Sequence, residues 1–296
     1  MPGTVLGYFV AGWVPDAVTL ALVFINPLFF LLTFTDVKPW ARLKTIASIG
    51  IGTDHIDLVA AAARGITVTN TPGVMDDAVA DLAFGLMLAA ARRLPQAEAF
   101  VRGGQWTPAQ ISAFGLGQDV SRKTLGIVGF GRIGQVVARR ATGFEMTVLY
   151  NANAPVDASI ETTLRAQYRT LDDLLTQSDF VVLLVPFCPA THHLIGAPQL
   201  ARMKPGAVLV NVARGGIVDD AALAQALREG RLAAAALDCV ENEPHVHAEL
   251  LALPQVVLTP HIGSATPGAR QAMVAMGLRN LIAALSGQTA PNLVQA

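Results

Sequence analysis

Arg214, Glu243 and His261 are the residues of this chain whose types could together do chemistry on an organic acid. Arg214 offers a planar fork of donors that can grip a carboxylate in two places. A surface ion pair is the commoner fate of a single such arginine. His261 can hold or release a proton near neutral pH, and a carboxylate on its other ring nitrogen would orient it and favour its charged form. Glu243 is the candidate for that carboxylate, although Glu243-Pro244 could also be only a turn. His192, His193, His245 and His247 lie in polar or loop stretches without metal-ligand spacing. They are read as surface residues, and no metal site is expected.

The elements that would position these groups centre on Leu125-Gly126-Ile127-Val128-Gly129-Phe130-Gly131-Arg132-Ile133-Gly134. A short apolar run enters a Gly-x-Gly-x-x-Gly turn and leaves it through Val136, Val137 and Ala138, which is the strand, turn and helix context of a dinucleotide site. Gly129 allows the tight turn, Gly131 leaves bare backbone for a pyrophosphate, and Gly134 lets the helix pack on the strand. The helix start then offers free N–H groups and a positive dipole end to the phosphates. Met146 to Tyr150 is the next strand, and the Asp or Glu expected at its end to bind the adenosine ribose is replaced by Asn151. That acid would repel a 2′-phosphate, so its absence removes the usual bar to NADP. No Arg lies directly beside Asn151 in the sequence, but Arg132 in the glycine turn could meet such a phosphate. The balance leans to NADP over NAD.

Apolar runs at Phe180–Val185, Ala207–Val212, Ala233–Leu237 and Val256–Leu258 alternate with helical patterns from Thr124 onward. This predicts an α/β, doubly wound parallel sheet, whose ligands sit outside the carboxyl ends of its strands. Arg214, Asp238 and His261 each follow such an end. Upstream, Leu43 to Ile49 is a strand candidate, followed by Gly50-Ile51-Gly52-Thr53-Asp54. That loop could hold a carboxylate on backbone N–H groups or could simply be a turn needing positive φ. Asp77 to Arg93 reads as a buried helix, a spine between domains or part of a subunit interface, stopped or kinked at Pro95.

The length of 296 residues points to two domains, and 21 basic against 22 acidic residues without a basic run argues against nucleic acid or an anionic membrane surface as partner. Cys188 and Cys239 sit in apolar, strand-like surroundings and read as reduced core residues of a cytoplasmic protein. Val18 to Phe34 carries no charge over 17 residues, with Asn26-Pro27 in its middle and no Lys or Arg before Lys38. A buried strand and helix is expected there in preference to a membrane span.

Leu125 to Gly134, Asn211 to Gly215 (NVARG), Asp238 to Pro244 (DCVENEP) and Pro260 to Ser264 (PHIGS) resemble the D-isomer-specific 2-hydroxyacid dehydrogenase family. The resemblance runs from about Leu43 to Ala284, with 29 positions from Arg214 to Glu243 and 18 from Glu243 to His261. It implies a Rossmann cofactor domain over 92–266 and a flavodoxin-like substrate domain from both chain ends, 1–91 and 267–296, with a cleft that closes during turnover. It also implies a homodimer.

By resemblance, Arg214 would bind the substrate's carboxylate and carbonyl, Glu243 would hold His261, and His261 would be the acid-base, while Ile51 and Gly52 would supply N–H groups to the carboxylate. The cofactor would touch Val79, Gly129, Gly131, Arg132, Ile133, Gly134, Asn151, Val185, Pro186, Thr191, Val212, Ala213, Arg214, Asp238, His261 and Gly263. The expected activity is NAD(P)H-dependent reduction of glyoxylate, hydroxypyruvate or 2-ketogluconate to a D-2-hydroxy acid. The alternatives are a dinucleotide-sensing, corepressor-like binding protein and a phosphoglycerate dehydrogenase-type enzyme without a regulatory domain. The residues before Leu43 depart from the family pattern, which puts that half of the substrate domain in question.

Overall fold

The computed structural model describes the backbone of 21–24, and residues 43–110 and 112–295. It divides into two compact units, one running to Met75 and resuming at Thr266, the other spanning Asp76–Ala265. In the first unit, β1 (Ala21–Phe24), β2 (Thr45–Ser48) and β3 (Thr67–Thr69) form a parallel sheet in that order. Helix α1 (Leu58–Ala63) is capped by the Asp57 side chain, which accepts from the Ala60 N–H at 2.8 Å. The expected strand and helix over Val18–Phe34 is described only at β1 and otherwise lies outside the described residues. Among the described residues no helix is long and apolar enough to cross a membrane.

The second unit opens with α2 (Asp76–Ala91) and α3 (Leu94–Arg102). Pro95 does not break α2 but occupies the first turn of α3, where its missing N–H costs nothing. Then follow β4 (Thr124–Val128), α4 (Arg132–Ala141), β5 (Thr147–Asn151), α5 (Ala158–Leu164), β6 (Ala166–Tyr168), α6 (Leu171–Gln177) and β7 (Phe180–Leu183). The unit continues with α7 (Ala197–Arg202), β8 (Val208–Asn211), α8 (Asp220–Arg228), β9 (Ala234–Leu237), α9 (Ala248–Ala252) and β10 (Val256–Leu258). α10 (Pro267–Leu285) returns to the first unit.

All seven strands of the second unit pair in parallel in the order β10-β9-β8-β7-β4-β5-β6. The side chains of β7, β8 and β9 are all buried, as expected when helices cover both faces of a parallel sheet. β4 lies between β5 and β7, so strand order reverses there and opens the crevice where such sheets take ligands.

Helix α2, assigned by the sequence to the first domain, packs against α4, β8 and β9 and belongs to the second unit. The Arg140 guanidinium on α4 binds Asp77 and Asp81 on α2, at 3.0 and 2.7 Å, and Phe84 stacks on Phe144. The boundary therefore falls at 75/76 rather than 91/92. Cys239 is buried as expected, whereas Cys188 lies in the turn after β7 and is only half-buried.

Close packing also rests on a glycine inside β4. A Cβ on Gly126 in β4 would press on Ser178 Oγ and come within 2.5 Å of Leu174 Cδ2. Gly126→Ala is therefore expected to destabilise the protein by roughly 1–3 kcal/mol through overpacking, read as a lowered midpoint in denaturant unfolding. An unchanged midpoint would mean that α6 yields without cost.

Candidate active site

The turn from β4 into α4 has the shape a dinucleotide needs. Gly129 has φ +99°, and a Cβ there would come within 2.7 Å of the Leu184 carbonyl after β7. A Cβ on Gly134 would collide with the Gly129 carbonyl oxygen, so α4 sits on its strand only because that position is bare. Gly131 faces open space, with no atom within 4 Å of where its Cβ would be. Two glycines thus close the turn and the third leaves room at the helix start, so the residues present fit a pyrophosphate.

Around this turn, the expected cofactor residues fall at the carboxyl edge of the sheet. Val185 and Pro186 follow β7, Val212 to Arg214 follow β8, Asp238 follows β9, and His261 and Gly263 follow β10. Arg132 and Ile133 begin α4. Val79 on α2 has a methyl 3.4 Å from where a Gly263 Cβ would lie, which puts it against the His261 loop. The Thr191 hydroxyl is engaged within its own loop, donating to the Pro186 carbonyl at 2.7 Å and accepting from the Cys188 N–H at 2.9 Å. Ile51 and Gly52 lie in the other unit, in the loop after β2, where the Asn70 amide donates to the Ile51 carbonyl at 2.9 Å.

Asn151 ends β5 and accepts the Gly129 N–H on its carbonyl at 2.9 Å. Its side-chain amide donates to the Arg169 carbonyl at 2.9 Å. Arg169, just past β6, is a cation that sequence reasoning missed, because β6 is only Ala-Gln-Tyr and carries no strand pattern. Arg132 is largely exposed, and its Nε is 3.7 Å from the Asp76 carboxylate, a carboxyl whose pKa is raised chiefly by burial.

The chemical groups converge around Cys239. His261 Nδ1 and Glu243 Oε2 are 2.9 Å apart, and the other Glu243 oxygen accepts the Val240 N–H at 3.2 Å. Glu243 is thus fixed at both oxygens and holds one ring nitrogen of His261. The Cys239 sulfur lies within 4.8 Å of ligand atoms of both Glu243 and His261. Burial pushes the Cys239 thiol pKa up, with the Glu243 and Asp238 charges adding to it and Arg214 opposing.

Arg214 and Glu243 come from different loops that are pinned together. The Asn211 amide donates to the Arg214 carbonyl at 2.9 Å and to the Cys239 carbonyl at 3.3 Å. A Cβ on Gly215 would fall within 2.6 Å of the Val240 carbonyl carbon, so these loops touch backbone to backbone.

Asp238 is 2% exposed, which leaves its carboxylate to organise the neighbouring loop. Oδ1 accepts from the Thr259 hydroxyl at 2.6 Å and the Ile262 N–H at 2.8 Å, and Oδ2 accepts from the Gly263 N–H at 2.8 Å. Its carbonyl also takes the His261 N–H at 3.0 Å. His261 itself is held at φ +51°, a left-handed conformation unusual outside glycine, and this loop is what maintains it.

One further carboxylate supports the site from behind. Asp220, 2% exposed at the start of α8, accepts the Glu241 N–H at 3.0 Å, and burial raises its carboxyl pKa to about 6 from an ordinary 3.8. Between pH 4 and 6 the folded protein keeps a proton that the unfolded chain has released, so stability falls as pH rises through that window, by roughly 2–3 kcal/mol at most. Asp220→Asn keeps an acceptor for Glu241 and should flatten this part of the stability profile, measured by denaturant unfolding from pH 4 to 7. An unaltered slope would assign the effect elsewhere.

Known proteins resemble this chain over most of its length. A family model described as D-isomer specific 2-hydroxyacid dehydrogenase, NAD binding domain, matches residues 84–263. The chain is 50% identical over 262 residues to a glyoxylate reductase of Thermococcus onnurineus, covering 88% of this chain and 78% of that one. It is 46% identical over 255 residues to glyoxylate/hydroxypyruvate reductase B of Pectobacterium atrosepticum, covering 86% and 79%. Among solved structures, it superposes with a TM-score of 0.82 and 36% identity on an NADPH-dependent glyoxylate/hydroxypyruvate reductase of Sinorhizobium meliloti in complex with NADP and malonate, covering 96% of this chain and 87% of that one.

Proposed function

The chain belongs to the D-isomer specific 2-hydroxyacid dehydrogenase family, and from that premise we propose that it reduces glyoxylate to glycolate and hydroxypyruvate to D-glycerate at the expense of a reduced nicotinamide dinucleotide. 2-Ketogluconate is a further candidate substrate. The observation that carries the reading is the 2.9 Å pair between Glu243 and His261 Nδ1, at the same strand edge as Arg214 and the glycine turn.

In this reading the Arg214 guanidinium neutralises the substrate carboxylate and fixes its orientation through paired hydrogen bonds. His261, holding a proton on Nε2, gives it to the carbonyl oxygen as the carbon is reduced. Glu243 accepts from Nδ1–H, so it stabilises the imidazolium that donates from Nε2 and leaves the ring as the neutral Nδ1–H tautomer once that proton has gone. Nicotinamide, when bound, supplies the hydride, so the protein's own task is to orient, neutralise and protonate. The Ile51-Gly52 loop is read as a second holder of the carboxylate.

NADP is the preferred cofactor in this proposal. A neutral Asn151 stands where an acid would exclude the 2′-phosphate, and Arg132 and Arg169 offer positive charge at that end of the sheet. The carboxylate of Asp76 beside Arg132 opposes this preference. The protein is also read as a homodimer, a reading supported by the exposed Leu94, Val101, Trp106 and Leu116. The free thiols of Cys188 and Cys239 support a cytoplasmic location.

The test is a panel of 2-oxo acids with NADPH and NADH, followed by loss of nicotinamide absorbance. Turnover of glyoxylate or hydroxypyruvate is expected; binding of dinucleotide without turnover of any 2-oxo acid would leave a dinucleotide-binding protein instead. His261→Ala should lower kcat by about 10²–10⁴-fold, the usual worth of a general acid, with a far smaller change in dinucleotide affinity. Unchanged turnover would remove His261 from its role. Arg214→Lys keeps the charge but loses the fork, so KM for the 2-oxo acid should rise roughly ten- to a hundredfold. A KM equal to the parent's would place the carboxylate elsewhere.

A further inference from the structure

We propose that His192, His193 and Glu241 form a binding site for a borderline divalent cation, zinc or nickel. This group is separate from the Arg214, Glu243 and His261 set, and the inference does not rest on the proposed activity. Consecutive side chains normally diverge, but His193 takes a left-handed backbone conformation, φ +51°, that swings its ring beside that of His192. The two imidazoles stack with centroids 4.0 Å apart and planes 18° from parallel. Both Nε2 atoms approach the same oxygen of Glu241, at 2.6 Å from His193 and 4.0 Å from His192.

These separations suit a metal. With zinc bonds to nitrogen and oxygen of about 2.0–2.2 Å in tetrahedral geometry, neighbouring ligand atoms lie roughly 3.3–3.5 Å apart. The observed 2.6 and 4.0 Å bracket that value, and the ligand atoms of the three residues all lie within 4.8 Å of one another. Completing the set would close the 4.0 Å gap and splay the two stacked rings, because an imidazole binds a metal in its own plane. Two imidazoles and one carboxylate leave a coordination position open to water, and imidazole favours zinc, nickel and copper over calcium or magnesium. The side chains are 51%, 36% and 26% exposed in the order His192, His193, Glu241, so an ion can enter from solvent.

The surroundings supply what supports such a ligand set. Asp219 Oδ2 is 3.9 Å from His193 Nδ1, the far nitrogen, where an outer carboxylate orients a metal-bound imidazole. Asp220 fixes the Glu241 backbone through its N–H. His192 and Phe187 meet edge to face, with centroids 6.0 Å apart. Occupancy would tie the loop after β7 to Glu241, two residues before Glu243.

The test is zinc binding to protein stripped with a chelator, measured by competition with a chromophoric chelator and by thermal unfolding with and without the ion. The expected result is a single tightly bound equivalent that raises the melting temperature, with affinity weakened roughly tenfold or more in His192→Ala. That variant leaves the His193–Glu241 bond in place, so loss of fold does not confound it. Glu241→Gln should weaken binding similarly. Wild-type affinity in both variants, or no competition by the wild type at submillimolar zinc, would overturn the proposal. So would loss of the bound zinc in Cys239→Val but not in His192→Ala, because the ion would then belong to Cys239, Glu243 and His261.

Discussion

A single buried carboxylate, that of Asp238, holds the reactive edge of this protein together. Three donors from the segment after β10 converge on its two oxygens, the Thr259 hydroxyl and the N–H groups of Ile262 and Gly263. Hydrogen bonds to a charged acceptor contribute roughly 1.5–3 kcal/mol each, and an unsatisfied buried carboxylate costs more, so this loop has no inexpensive alternative conformation. The left-handed backbone of His261 is a consequence: the residue is bracketed by partners of Asp238 on both sides. Glu243 completes the arrangement, anchored to the Val240 N–H and holding the imidazole.

The same edge is narrow because small residues bring its loops together. Gly129 admits the backbone after β7, Gly215 admits the backbone of Val240, and Asn211 bridges the loops after β8 and β9. Parallel strands of matched length deliver these loops at one level, with Val128 beside both Asn151 and Leu183. Placement of Arg214, Glu243 and His261 is therefore a property of the sheet and its glycines more than of any one side chain. A Cβ in the wrong place would move Arg214 away from Glu243 without touching either.

Much of this was legible in the sequence, and the reasons are local. The strand, turn and helix around Gly129–Gly134 is written in contiguous residues, and the apolar runs of β7, β8 and β9 are long enough to announce buried strands. The roles proposed for Arg214 and His261 follow from residue type once each is seen to lie just past a strand end, with Glu243 further along the loop after β9. What escaped depends on distance in space. β6 has three residues, Ala-Gln-Tyr, with no periodicity, so Arg169 could not be placed beside Asn151. Helix α2 is assigned by the sequence to the first domain although it packs on the second, because an all-apolar surface does not say which neighbour it packs on. The hydrogen bond between His193 and Glu241 escaped because the two are 48 positions apart and the left-handed turn at His193 has no sequence signature.

The central claim is that Asp238 builds the loop that presents His261, and amide hydrogen exchange at Ile262 and Gly263 tests it most directly. Both N–H groups are bound to the Asp238 carboxylate, so they should exchange slowly in the wild-type protein. Asp238→Asn replaces one acceptor oxygen with a donor, and exchange at both amides should quicken by roughly tenfold or more, as expected for loss of a bond worth at least 1.4 kcal/mol, while amides in β4 and β8 stay protected. Equal protection of Ile262 and Gly263 in the two proteins would contradict the account, because the loop would then be held by something other than that carboxylate.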